Sequence, residues 1–123
     1  MGRIRPTVAV VDDDKSVNRA IRRLLRSIGV ASDSFQTGDE LLETLESIPA
    51  YRPACVILDV QTSGMQGLEV QRRLAALGIS VVFTTADENP SLRDEALAAG
   101  AVAYLRRPFD DALFFKAVSI AIK

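Results

Sequence analysis

The feature that most constrains the fold is a regular alternation of short apolar runs with amphipathic segments. The apolar runs, at 7–13, 30–35, 54–58, 80–84 and 101–105, are typical of buried strands. After the first run, Val17, Ile21 and Leu25 recur at the spacing of one helix face, and similar segments follow the other runs. Short right-handed connections between such units place helices on both faces of a parallel sheet. We therefore predict five strand–helix units in a three-layer, doubly wound α/β fold.

Local signals predict where several helices begin and end. Thr37 followed by Glu40 has the spacing of a capping box. Asn89 followed by Pro90 is a favourable pair for an N-cap and a first helical turn, and Gly100 is a suitable residue to close that helix.

Composition narrows the possible functions. The 123 residues fit one domain, 1–123, in which we expect only residues 1–6 to be loose. A formal charge of -1 provides no overall basic field for nucleic acid, and no apolar run approaches the roughly 18 residues of a membrane span. The single Cys55 lies in an apolar run, as a buried thiol would. We expect a cytoplasmic protein that binds neither nucleic acid nor membrane directly.

Chemistry-bearing residues follow the predicted strands. In parallel sheets of this kind, ligands bind outside the carboxyl ends of the strands, so residues there are expected to converge. The strand-terminal polar residues are Asp12, Asp13, Asp14, Asp59, Thr84, Thr85, Arg106 and Arg107.

Several carboxylates at one edge would raise one another's pKa unless a cation neutralised them. The chain contains no histidine, and oxygen ligands alone favour a hard divalent ion. We expect Mg²⁺, with Mn²⁺ as the second choice. The competing interpretation is that the acidic residues cap the helices that follow, and it applies best to Asp14.

A carboxylate next to a cation, a hydroxyl and a guanidinium can act as a nucleophile toward a phosphoryl group. Arg107 would bind the phosphoryl oxygens, and Thr85 would donate a further hydrogen bond. Taken alone, Thr85 is equally well explained as a strand-end threonine.

The sequence resembles the receiver domain of two-component response regulators along essentially its whole length. The matching segments are VVDDD at 10–14, LDV around Asp59, GMQGLE at 64–69, FTTA at 83–86 and AYLRRPF at 103–109. The resemblance implies a flavodoxin-like sheet with strand order 2-1-3-4-5 and a role in signalling, including transcription regulation.

The resemblance also implies roles for individual residues. Asp59 would accept a phosphoryl group from a sensor histidine kinase or a phosphotransfer protein. Asp12, Asp13, Asp59 and the Gln61 backbone carbonyl would hold Mg²⁺. Such a domain catalyses its own phosphorylation and dephosphorylation and is not a classical enzyme.

Further residues match the part of the family pattern that responds to phosphorylation. Thr85 and Tyr104 would form a switch pair, and a cis peptide bond would precede Pro108. Tyr104 on its own could instead be an amphipathic edge-strand side chain. The switch would change the surface of the fourth helix, fifth strand and fifth helix, through which a homodimer or an output domain could bind.

The sequence departs from the family pattern in two segments. Arg107 stands where the family has lysine, and a planar guanidinium is not equivalent to a compact ammonium. Thr62 and Ser63 replace a methionine–proline pair, which predicts a less rigid loop after Asp59 and weaker metal binding. These departures leave open a degenerate receiver that acts by protein contacts without phosphorylation.

A small phosphatase is a third interpretation. Asp12, Asp14 and Ser16 loosely match the DxDx[ST] pattern of enzymes that form an aspartyl-phosphate on their first strand. That interpretation leaves Asp59 and the segment AYLRRPF without a role.

The last helix carries apolar residues beside its core-facing stripe. Leu113, Phe115 and Ile120 are not all expected to be buried by one sheet, and exposed apolar area favours a partner. We predict a symmetric dimer or docking of an output domain here. Packing of these residues against the first helix is the alternative.

Overall fold

A computed structural model describes residues 6–61, 66–87 and 89–123. Its elements are, in order, β1 (Thr7–Val11), α1 (Lys15–Ser27), β2 (Ala31–Phe35), α2 (Gly38–Ser47), β3 (Cys55–Asp59), α3 (Gly67–Ala76), β4 (Ser80–Thr85), α4 (Pro90–Ala98), β5 (Ala103–Arg106) and α5 (Asp111–Ile122). The predicted loose segment lies outside the described residues except for Pro6, as do Thr62 and Ser63.

The five strands form one parallel sheet in the order β2-β1-β3-β4-β5. This confirms the predicted flavodoxin-like topology. The strand order reverses at β1 and β3, so the ends of these two central strands flank the crevice in which such sheets bind ligands.

Alternate residues of each central strand enter different cores, because successive side chains of a strand point to opposite faces. Ala9 and Val11 join a cluster with residues of α2, α3 and α4. Val8 and Val10 join a second cluster with residues of α1 and α5. The sheet is therefore covered on both faces, as its near-continuous apolar strands predict.

Several element boundaries differ from the sequence prediction. β1 ends at Val11 rather than Asp13, and the backbone N–H of Asp14 donates to Asp12 Oδ1 at 2.9 Å in the turn that follows. β5 begins at Ala103 rather than Ala101, since the N–H of Ala101 donates to the Ala96 carbonyl and closes α4. Gly100 makes that closure possible, with a backbone φ of 102°.

The predicted helix caps are present. The N–H of Glu40 donates to Thr37 Oγ1 at 3.1 Å, and the Glu40 side chain accepts from the N–H of Gln36. The N–H of Leu92 donates to Asn89 Oδ1 at 3.1 Å. Asp14 also caps α1, which confirms the structural interpretation of that residue. In the described ranges, none of the helices combines the length and apolar character needed to cross a bilayer.

Helix α5 buries one stripe and exposes another. Phe114 and Val118 are fully buried in the cluster that includes Ile21 of α1. Leu113 and Ile120 are 57% and 55% exposed, as expected for residues beside the core stripe. Phe115 is half-buried against Phe114, so the expected apolar surface is narrower than the sequence indicated.

Candidate acidic site at the strand ends

Four adjacent strand ends place one polar side chain each on the same side of the sheet. Asp12 follows β1, Asp59 ends β3, Thr84 lies in β4 and Arg107 follows β5. Asp59 and Thr84 are direct partners in the β3–β4 register. The residues two positions earlier all belong to the α1/α5 core: Val10, Ile57, Val82 and Leu105. The alternation of strand side chains therefore builds this row.

Three carboxylates meet at the site. One oxygen from each of Asp12, Asp13 and Asp59 lies within 4.8 Å of the others, as the sequence predicted. Asp12 and Asp59 are only 2% and 8% exposed, whereas Asp13 is exposed. The buried Asp12 Oδ2 has no hydrogen-bond partner among the described residues. An all-oxygen donor set with a buried oxygen lacking a hydrogen bond fits a hard divalent cation.

Burial makes ionisation of this cluster unfavourable. It raises the pKa of Asp12 to about 6, against the lowering effect of the Asp14 backbone N–H. Burial likewise raises the pKa of Asp59, while the Gln61 N–H and the Arg107 guanidinium act in the opposite direction. A divalent cation would offset both effects, because it stabilises the ionised form of each carboxylate.

The backbone after β3 contacts the Asp59 carboxylate. The N–H of Gln61 donates to Asp59 Oδ1 at 3.1 Å. The expected role of the Gln61 carbonyl as a metal ligand stays a prediction. The effect of Thr62 and Ser63 on this loop also stays a prediction, since both lie outside the described residues.

Arg107 contacts two residues of the row. Its Nη1 donates to Thr84 Oγ1 at 2.8 Å and lies 3.7 Å from Asp12 Oδ2. The Arg107–Pro108 peptide bond is cis, as the resemblance implied. The bond to Thr84 was not anticipated from the sequence, although a threonine inside an otherwise apolar buried strand is a signal that could have indicated a partner.

Thr85 and Tyr104 lie on the opposite side of the sheet from Thr84. The Thr85 hydroxyl donates to the Asp87 carbonyl at 2.9 Å and accepts from the Asp87 N–H at 3.2 Å. The Tyr104 ring packs against Phe83 with centroids 6.0 Å apart. Burial raises the pKa of the Tyr104 hydroxyl, which has no hydrogen-bond partner among the described residues. The two predicted switch residues share a face, and the Thr85 side chain opposes the effect of burial on the pKa of Tyr104.

Asn18 of α1 supports the backbone beneath the strand-end site. This role was not predicted from the sequence. The buried Asn18 Nδ2 donates at 3.2 Å to each of the carbonyls of Val10, Asp12 and Phe35. Arg22 Nε in turn donates to Asn18 Oδ1 at 2.8 Å. These bonds tie the end of β1 to β2 and α1, which fixes the backbone that carries Asp12.

Comparisons with known proteins agree with this geometry. A family model for the response regulator receiver domain matches residues 8–119. The response regulator protein TmoT of Ectopseudomonas mendocina is 33% identical over 118 residues, which cover 94% of this chain and 52% of TmoT. The transcriptional regulatory protein FixJ of Azorhizobium caulinodans is 33% identical over 117 residues, covering 94% of this chain and 54% of FixJ. The chain thus spans about half the length of these relatives.

A solved structure shows the same similarity. The crystal structure of a response regulator receiver protein from Burkholderia phymatum is 57% identical in sequence and has a TM-score of 0.86. The match covers 96% of this chain and 95% of that one.

Proposed function

This chain belongs to the response regulator receiver domain family, and from that premise we propose that it is the phosphoacceptor switch of a two-component system, with Asp59 as the acceptor. The observation that carries the proposal is the cluster of Asp12, Asp13 and Asp59, whose oxygens lie within 4.8 Å of one another at the strand ends. A helix-capping role does not require three carboxylates from two strands to meet.

The residues of this cluster suit a divalent cation. Asp12, Asp13, Asp59 and the Gln61 carbonyl would hold Mg²⁺, or Mn²⁺ as the second choice, which supplies charge neutralisation at phosphoryl oxygens when bound. The buried Asp12 Oδ2 supports this assignment because it lacks a hydrogen-bond donor among the described residues. Arg107 contributes a second positive charge on the same side of the sheet.

Asp59 acts as the nucleophile in this proposal. A carboxylate oxygen forms the new P–O bond while the P–N bond of a donor phosphohistidine breaks, and the leaving imidazole takes a proton from solvent. The Gln61 N–H keeps the carboxylate oriented through its bond to Oδ1. Water attack on the same phosphorus atom later restores Asp59 and releases phosphate, so the domain also catalyses its own dephosphorylation.

Phosphorylation would be read out by Thr85 and Tyr104. The Thr85 hydroxyl, now bonded to the backbone of Asp87, would turn toward the phosphoryl group. Tyr104 would then change its packing in the space beside β4, which alters the surface of α4, β5 and α5. The switch needs no new fold, because the ligand only biases two arrangements of the same side chains.

We assign the remaining properties as part of the same proposal. The domain spans 1–123, acts in the cytoplasm, binds no nucleic acid directly and receives its phosphoryl group from a histidine kinase or phosphotransfer protein. Its exposed Leu113 and Ile120 support a homodimer, or docking of an output domain, on the α4–β5–α5 face. Sedimentation with and without beryllofluoride tests the dimer: a monomer mass independent of concentration in both states would refute it.

One observation favours a second candidate function, that of a degenerate receiver. Arg107 Nη1 is already bonded to Thr84 and lies 3.7 Å from Asp12 Oδ2, so this nitrogen is not available to an incoming phosphoryl group, which would have only the remaining N–H groups of the guanidinium. The phosphatase interpretation has less support, because the Asp14 carboxylate accepts the N–H groups of Ser16 and Val17 as a helix cap.

Labelling with acetyl phosphate and Mg²⁺, followed by intact mass and peptide mapping, distinguishes these functions. The proposal predicts one added phosphoryl group on Asp59, lost in Asp59→Asn and retained in Asp94→Asn, an exposed aspartate of α4. Label on Asp12 would support the phosphatase. No label on the intact protein would contradict the proposal and favour the degenerate receiver.

A further inference from the structure

Thr84 is a polar side chain fully buried inside a central strand. It is 0% exposed, and it lies between the apolar core of β4 and the strand-end site. A buried hydroxyl is costly unless it has a hydrogen-bond partner, and a valine of nearly the same shape would fill the space without that cost. The hydrogen-bond partner of Thr84 therefore indicates the role of this residue.

That partner is the guanidinium of Arg107. Nη1 donates to Thr84 Oγ1 at 2.8 Å, the distance of a strong bond to a charged donor. The other end of Arg107 is held as well, because its backbone N–H donates to the Thr85 carbonyl at 2.8 Å. The side chain is 20% exposed, so it lies along the rim of the site.

The bond to Thr84 fixes the position of the Arg107 guanidinium and its charge. Thr84 pairs in register with Asp59, and the bonded Nη1 lies 3.7 Å from Asp12 Oδ2. The guanidinium therefore lies on the side of the sheet that carries both buried carboxylates. Without this anchor, the long side chain would be free to sample other rotamers in solvent.

We infer that Thr84 is a positioning residue for Arg107, and that the two residues act as a unit to hold a guanidinium beside the acidic cluster. The expected consequence is tighter binding of a phosphoryl group at Asp59, and this consequence rests on the proposed function. Arginine offers several donors in a fixed plane, so Nη1 can stay on Thr84 while other N–H groups face the ligand. A lysine has one nitrogen and would not need Thr84 in this way.

The test is a double-mutant cycle read by beryllofluoride binding. Isothermal titration with beryllofluoride and Mg²⁺ is performed on wild type, Thr84→Val, Arg107→Lys and the double variant. Loss of a bond to a charged donor predicts an affinity about tenfold lower for Thr84→Val. The same change made in the Arg107→Lys background is expected to alter affinity by less than about twofold.

Two further variants separate positioning from a general effect on folding. Thr84→Ser keeps the hydroxyl and is expected to retain wild-type affinity within about threefold. Thr44→Val is the same chemical change at a half-buried position of α2, where the hydroxyl donates to the Glu40 carbonyl, and it is expected to leave affinity unchanged. The inference is overturned if Thr84→Val lowers beryllofluoride affinity equally in wild type and in Arg107→Lys. It is also overturned if Thr84→Val does not lower affinity in wild type.

A measurement without any phosphoryl analogue tests the same contact. Nitrogen-15 NMR of arginine side chains is expected to show hindered rotation of the Arg107 guanidinium in wild type and in Thr84→Ser, and the loss of that signal in Thr84→Val and Arg107→Lys. Failure of beryllofluoride to bind wild type, with this signature intact, contradicts the proposed function and leaves the positioning role standing. A guanidinium signal that Thr84→Val does not change refutes the positioning role itself.

Discussion

Replacing Asp12 by asparagine should stabilise the protein when divalent ions are absent. Asp12 is 2% exposed, and burial raises the pKa of its carboxyl from 3.8 to about 6. The ionised carboxylate is therefore unfavourable in the folded state, even with Arg107 nearby. Asparagine keeps the oxygen that accepts the Asp14 N–H and removes the charge.

The sign and size of the effect follow from proton linkage. Because the folded-state pKa of Asp12 lies above the unfolded value, the folded protein binds this proton more tightly. The contribution of Asp12 to stability is thus most favourable below about pH 4, falls as pH rises toward 6 and then stays constant. A pKa difference of roughly two corresponds to about 3 kcal/mol, the expected advantage of Asp12→Asn at pH 8.

Urea unfolding followed by circular dichroism, in EDTA between pH 4 and pH 8, measures this effect. The advantage of Asp12→Asn should be near zero at pH 4 and rise across the range. Asp94→Asn, a matched change at an exposed site on α4, should alter the free energy of unfolding by less than about 0.5 kcal/mol at each pH.

Addition of Mg²⁺ should reverse the ranking. A ligand that binds only the folded state stabilises it by about 4.1 kcal/mol at 1,000 times its dissociation constant, which exceeds the roughly 3 kcal/mol advantage of Asp12→Asn, and wild type should gain more from Mg²⁺ than this variant does. An advantage of Asp12→Asn that is the same at pH 4 and pH 8 would refute the reasoning, because it would not arise from ionisation of a buried carboxyl.

Two other predictions test the support around the site, and a third tests the burial of Cys55 at the start of β3. Asn18→Ala should lower the free energy of unfolding by about 2 to 4 kcal/mol, because it leaves three backbone carbonyls without their shared donor; a loss below about 1 kcal/mol in urea titration would contradict this role. Gly67→Ala places a Cβ 2.8 Å from the Val60 carbonyl oxygen and should lower the free energy of unfolding by about 1 to 3 kcal/mol. An unchanged thermal midpoint would contradict this prediction. Burial raises the pKa of the Cys55 thiol to about 12, so a disulfide reagent should modify it only on unfolding, and rapid modification of the native protein at pH 8 would disprove this.

The sequence was sufficient for the succession of strands and helices because its periodicities are strong and agree with one another, whereas the order of the strands in the sheet came from the family resemblance. Apolar runs such as 54–58 predicted buried strands, and the helical spacing of Val17, Ile21 and Leu25 predicted the first helix. Helix caps at Thr37 and Asn89 were also predicted, because capping depends on local residue types.

The site was only partly predictable, for a physical reason. Convergence of Asp12 and Asp59 follows from parallel strands that end at one edge, so it could be predicted without coordinates. The bonds of Thr84 to Arg107 and of Asn18 to three carbonyls depend on strand register and side-chain rotamers. Neither is determined by spacing along the chain, and both were missed.

Titration with Mn²⁺, followed by nitrogen-15 NMR, tests most directly whether the carboxylates of Asp12, Asp13 and Asp59 form one metal site. A shared metal site predicts a single set of paramagnetically broadened backbone amides, centred on 12–14 and 59–61, which disappears in Asp12→Asn and is displaced by excess Mg²⁺. Broadening centred on the acidic residues Asp39, Glu43 and Glu46 of α2, or none at any site while the protein remains folded, would contradict a shared metal site.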